Sequence, residues 1–262
     1  MTPTPSPTPS ITTTPAPQVT PSVTVTNYVN NEVALLHFNG TQGSQIFTDS
    51  TGKNVWTANN ASSILSTVQA KFGTSSLYPG NASGDYISSP ASSILNLVTN
   101  NPDFTIEAWV YPLAFGNTIS SIIANWQQTT GVGSYIFGAT STGALMVNWG
   151  PYNENTALIT ATSTTLALNT WSHVALDKQG SNFYIHINGI LVGSATSATT
   201  RTQANYATTI GYYGNNSGAS TTSYWNGYID ELRIVKGISI YGSSNFNIPS
   251  DEFPAPSPTP TP

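Results

Sequence analysis

Eleven carboxylates are available for chemistry in 262 residues, and two of them are adjacent: Asp230 and Glu231, inside YWNGYIDELRIVKGISIYG, 224–242. Paired carboxylates are the equipment of a glycosidase, which needs them about 5–5.5 Å apart for retention and further apart for inversion. Neighbours on a regular strand point to opposite faces. Without a bulge, Asp230 and Glu231 are therefore not a same-face pair. Glu231 instead shares a face with Arg233, two positions on, and a surface pair of that kind is worth only ~0–1 kcal/mol. Glu107 shares a face with Trp109 but has no second acid on its strand. His37, His173 and His186 fall in three different segments, with no i, i+2 or i, i+4 pairing for a transition metal. No G-x-S-x-G nucleophile elbow is present. Sugar binding asks for other residues: an aromatic platform with nearby amides or carboxylates. Two segments supply them, WGPYNEN (149–155) and YYGNN (212–216), the latter followed by Tyr224 and Trp225. The candidate glycan contacts are Trp149, Tyr152, Asn153, Glu154, Tyr212 and Tyr213, although Trp149 also suits a core position and Tyr152 an ordinary loop.

The elements that must position these residues read as strands. VALLHF (33–38), TIEAWVY (105–111), SIIANW (121–126), YIFG (135–138), ALMVNW (144–149), WSHVALD (171–177), NFYIHI (182–187), 208–213 and 227–235 are short and separated by Gly, Asn, Ser and Thr clusters. In TIEAWVY, Ile106, Ala108 and Val110 alternate with Thr105, Glu107, Trp109 and Tyr111, as a sheet with two unlike faces requires. FYIHI, Asn188-Gly189 and ILVG form a hairpin signal, since Asn-Gly tolerates the positive φ of a type I′ turn. One short helical turn is expected in ASSILNLV (91–98). Many antiparallel strands and almost no helix predict an all-β, two-sheet antiparallel jelly-roll sandwich.

Composition narrows the function. Charged residues are 6 % of the chain and the net charge is −5, with six Lys/Arg scattered singly. No basic patch is there to neutralise phosphates or to meet an anionic membrane, so neither nucleic acid nor membrane is an expected partner. No apolar run is long enough to span a bilayer as a helix. With no cysteine, disulfides and thiolate sites are excluded. MTPTPSPTPS has neither the basic nor the apolar region of a signal peptide. Residues 1–21 and 254–262 are Pro/Thr/Ser low complexity, extended spacers without core-forming capacity. They flank a folded zone expected at 22–253 and read either as linkers or as arms that lie on a neighbouring subunit.

The order LLHFNG (35–40), DSTG (49–52), KFGTSSLYPG (71–80), FTIEAWVYP (104–112), NTWSHVAL (169–176), FYIHINGILVG (183–193) and NGYIDELRIVKGISIYG (226–242) resembles the laminin-G-like, concanavalin A-like jelly-roll family, in the branch common in phage virion and bacterial surface proteins. The resemblance implies two packed sheets, one concave, and mostly adhesive functions. It also implies a calcium ion that ties the first strand to the last. By that resemblance Asn39 would face Asp230, with Asp49 a further candidate ligand; the alternative is that Asn39 and Asp49 form Asx-type turns and Asp230 accepts backbone N–H groups. The E-x-D-x-x-E strand of jelly-roll glucanases is missing.

These readings combine into a non-catalytic, surface-exposed structural or adhesive module: a phage virion component, head decoration or tail appendage, that binds glycans and whose arms support homo-oligomers. The Met start, the lack of a leader and the matching ends favour a virion. The alternative is a carbohydrate-binding module of a secreted multidomain bacterial protein, and a glycoside hydrolase ranks last. Either leading context puts the module on a virion surface or outside a cell.

Overall fold

The computed structural model describes residues 28, 30–116, 118–126, 135–150, 157–198, 206–213 and 223–255. They form two antiparallel sheets and, among the described residues, no helix. The strands are β1 (Glu32–Leu36), β2 (Thr57–Ala58), β3 (Ile64–Ser66), β4 (Ser76–Tyr78), β5 (Ile87–Ser89), β6 (Phe104–Ala114), β7 (Ile119–Asn125), β8 (Tyr135–Thr140), β9 (Ala144–Trp149), β10 (Ile159–Thr165), β11 (Ser172–Gln179), β12 (Asn182–Ile187), β13 (Ile190–Thr196), β14 (Thr208–Ile210) and β15 (Asn226–Lys236). The first sheet runs β13-β12-β11-β6-β15-β4-β3, with β1 also paired to β15; the second runs β10-β9-β8-β7-β14-β5-β2. The expected two-sheet sandwich is therefore the fold.

Alternation builds the core. Across the second sheet, Ala58, Ile87, Ile210, Ile123, Phe137, Val147 and Ile159 stand in register and face inward. Across the first, Ala34, Ile234, Ile106, Leu176 and Ile185 do the same. The rows meet as one apolar layer, the two-layer solution that half-apolar sheets require. The Asn188-Gly189 turn has φ of 50° and 76°, as the type I′ hairpin demands.

Three features depart from expectation. The 91–98 segment forms no helical turn; Leu95, Leu97 and Val98 are instead buried in the core from an irregular stretch. The short strands β2 to β5 carry too few residues for a periodic signal. The third departure concerns the acid pair. Asp230 stands opposite Trp109 and Arg233 opposite Glu107, so three steps on β15 match two on β6. This extra residue is a β-bulge, and Glu231 takes the left-handed conformation with φ 47°.

Candidate functional site

The bulge changes the geometry of the acids. Arg233 does not pair with Glu231. Its guanidinium donates to Glu107 Oε1 from Nε at 2.8 Å and from Nη2 at 2.6 Å, and reaches Glu32 Oε1 at 3.4 Å. Glu231 instead meets His37 Nδ1 at 2.7 Å and accepts the Phe253 N–H at 2.8 Å. Glu107 also faces His173 Nε2 at 3.1 Å and accepts the Tyr241 hydroxyl at 2.6 Å. Burial alone would raise the Glu107 carboxyl; Arg233, His173 and Tyr241 outweigh it and hold it at about 2. Asp177, opposite Thr105, accepts that hydroxyl and the N–H groups of Ile240 and Tyr241.

All these groups lie on the outer face of the first sheet, and residues 237–253 run over them as a strap. Phe246 packs edge-on against His173 and His186 and stacks on Tyr241. Glu107, Asp177, Asp230, Glu231 and Arg233 are all buried. Asp230 is pushed up to about 8, chiefly by burial, with Glu231 adding to the rise. A glycosidase dyad must reach its substrate; these carboxylates are enclosed and occupied by structural partners.

The residues expected to hold calcium are also separately occupied. Asp49 Oδ1 accepts the Leu35 and Thr51 N–H groups and its Oδ2 accepts Asn54 Nδ2. Asp230 Oδ2 accepts the Lys71 and Phe72 N–H groups, and Oδ1 that of Glu231. Asn39 Oδ1 accepts the Thr74 N–H, while its Nδ2, a donor and no ligand, turns to Glu252. Calcium takes six to eight oxygens around one centre; here Asp49 and Asp230 accept backbone N–H groups from different stretches of the chain. They act as turn and backbone acceptors.

The second sheet is chemically different. Its seven strands contain no Asp, Glu, Lys, Arg or His. On its outer face Thr57, Ser88, Thr209, Ala124, Ile136 and Asn148 stand in one cross-strand row, and Ser121, Gly138, Met146 and Thr160 in the next. Gly138 is needed there, because a Cβ would lie 2.4 Å from the Ser120 carbonyl. Trp126 and Tyr213 pack with Ala124 and Ile136. Among the described residues, Asn148 Oδ1 and Ser121 Oγ are buried without a hydrogen-bond partner. Trp126, Asn148 and Met146 are buried, whereas Ser88, Thr209 and Tyr213 are half-buried. Trp126, Tyr135, Trp149 and Thr208 lie toward one end of the sheet.

The predicted glycan contacts divide accordingly. Tyr152, Asn153 and Glu154 lie outside the described residues. Trp149 is no platform: it points inward, is 4 % exposed, and packs on Phe183, Phe104 and Tyr135. Tyr212 is buried and stacked on Tyr86, held by a bridge to Tyr224. Of the three described contacts, Tyr213 alone reaches the outer face half-exposed. Sequence reasoning passed over Trp126 and Asn148. Strand parity could have found Asn148, which alternates with the inward Val147 and Trp149.

A family model, the concanavalin A-like lectin/glucanases superfamily, matches residues 80–238, more than half of the chain. The chain belongs to this superfamily. No curated protein sequence matches it significantly. Among solved structures it is similar to domain 4 of AbnA, an extracellular arabinanase of Geobacillus stearothermophilus, seen with arabinotriose: TM-score 0.55, 19 % identity, 79 % of this chain and 93 % of that one. It is similar to botulinum neurotoxin type C, whose cell entry depends on two ganglioside molecules: TM-score 0.55, 14 % identity, 80 % of this chain and 48 % of that one. Trypanosoma rangeli sialidase in complex with sialic acid matches at TM-score 0.55 and 13 % identity, over 84 % of this chain and 32 % of that one. The chain thus spans under half the length of the last two. At these identities the likeness is one of fold.

Proposed function

We propose that this jelly roll is a non-catalytic glycan-binding module and that the outer face of its second sheet carries the site. The observation behind the reading is the division of chemistry between the sheets. Every described histidine and the Glu107–Arg233 network belong to the first sheet or its flanking segments, and His173, His186 and the network are enclosed beneath the strap. The strands of the second sheet offer hydroxyls and amides, with Trp126 and Tyr213 beside them, and carry no carboxylate to serve as acid or nucleophile. Neutral hydrogen-bonding groups beside aromatic rings match sugar hydroxyls and C–H faces, as small-ligand sites generally combine apolar surface with a few polar groups. The arabinotriose, ganglioside and sialic acid named with its fold relatives support a carbohydrate as the ligand class. Display on a virion is the finer part of the proposal, and it leans on the two Pro/Thr segments, of which 1–21 lies wholly outside the described residues.

The test is retention on immobilised glycans, neutral and sialylated, by the full chain and by Tyr213→Ala. By analogy with bases stacked on aromatic rings, where each is worth ~1–3 kcal/mol, affinity should fall about 5-fold or more, with the melting temperature held. If the wild-type chain is retained by no glycan, or Tyr213→Ala binds as well as wild type, the site is not here.

A further inference from the structure

Away from the second sheet, one group of side chains is placed like a ligand set. His37, just past β1, Glu231 in the bulge of β15 and Glu252 in the strap bring a ring nitrogen and two carboxylate oxygens within 4.8 Å of one another. Three distant stretches of chain supply them, so no single turn accounts for the convergence. The Glu231 side chain is 1 % exposed and that of His37 15 %, while Glu252 is half-buried and opens the group to solvent on the strap side. Asp230 adds a fourth titratable group beside Glu231, but its oxygens accept backbone N–H groups. The neighbouring strong cations are committed elsewhere. Arg233 binds Glu107 and Glu32, and Lys71 lies 3.9 Å over the Trp109 ring. His37 meets Glu231 at 2.7 Å, and Glu252, whose Oε1 accepts Asn39 Nδ2, completes the group without a strong cation of its own among the described residues.

The donor types decide what such a site takes. Calcium and magnesium prefer oxygen ligands throughout. One imidazole with two carboxylates suits a borderline divalent ion, with water filling the open position. Asn39 would orient Glu252 from outside through its 2.8 Å hydrogen bond, and the Phe253 N–H would do the same for Glu231. Gly73 leaves the room this needs: a Cβ there would lie 2.5 Å from Glu252 Oε1.

We propose that His37, Glu231 and Glu252 form a binding site for a divalent transition-metal ion of the zinc class, which clamps the C-terminal strap to the first and last strands. The full chain, stripped with chelator, is titrated with zinc chloride by calorimetry, and its melting temperature is followed with zinc, calcium or neither. Zinc should bind one ion per chain and raise the melting temperature more than calcium does. His37→Gln and Glu252→Gln should each weaken zinc binding at least about 10-fold. Glu252 sits in the strap and not in a sheet, so Glu252→Gln keeps the test sound if the His37 variant folds poorly. No zinc binding, equal binding by a folded Glu252→Gln, or tighter binding of calcium would each overturn the assignment.

Discussion

Arg233 shows what one residue can hold together. Its guanidinium is buried between Glu107 and Glu32, and Glu107 in turn takes His173 and Tyr241. Inside a protein such a charge is tolerated only with its partners in place. Arg233→Met removes the partner and leaves Glu107 enclosed. We expect a loss of ~3–5 kcal/mol in urea unfolding, and Arg233→Met with Glu107→Leu should recover part of it. If Arg233→Met alone unfolds at the wild-type midpoint, the network carries no stability. The partnership was not legible in the sequence. Face parity on a regular strand assigns Arg233 to Glu231, and it fails because one inserted residue between Asp230 and Arg233 resets the alternation. Nothing in IDELR marks that insertion; it becomes visible only when β15 is set against β6. Parity worked for TIEAWVY, where no bulge falls within the motif.

At the scale of elements, the strands were legible and the strap was not. VALLHF, ALMVNW and NFYIHI alternate or carry β-branched and aromatic residues, and each became a strand within a residue or two. Residues 237–253 have no period, because they pair with side chains rather than with a neighbouring strand. Their anchors are non-local: Asp177 to the Ile240 and Tyr241 N–H groups, Gly189 O to the Phe246 N–H, Asn245 Oδ1 to the Leu191 N–H, and Phe246 against two histidines. Sequence spacing carries no information about such contacts. The strap is therefore part of the domain although the family match ends at 238. Tyr241→Phe tests it with the least disturbance, since the ring stacked on Phe246 stays and only the 2.6 Å bond to Glu107 is lost. A hydrogen bond to a charged group contributes ~1.5–3 kcal/mol. Glu107 keeps its other partners, so a loss near the lower figure is expected in chemical unfolding. An unchanged midpoint would mean that the Tyr241–Glu107 bond does not help to hold the strap on the sheet.

For the whole molecule, the open question is what the Pro/Thr ends do. A polyproline-like segment buries little by itself, yet it is already extended and loses little freedom when it docks, which is why such segments serve both as spacers and as partners. The structure sets where the C-terminal end can be cut. Phe253 donates its N–H to Glu231 and lies 4.0 Å beneath the Arg233 guanidinium, so a deletion that begins at 254 would disturb Phe253's immediate neighbour and one at 256 would not. A chain of residues 22–255 should therefore melt where the full chain melts, and an equal midpoint shows that the ends lie outside the cooperative unit. Mass in solution then separates the two contexts. The full chain is 27.7 kDa as a monomer. On the virion reading, light scattering gives a multiple of that mass for the full chain and a monomer for 22–255, because the arms lie on neighbouring copies. A monomer in both forms would remove the arms from assembly and leave a tethered sugar-binding module, with the Pro/Thr segments as the spacers that hold its second sheet toward a glycan surface.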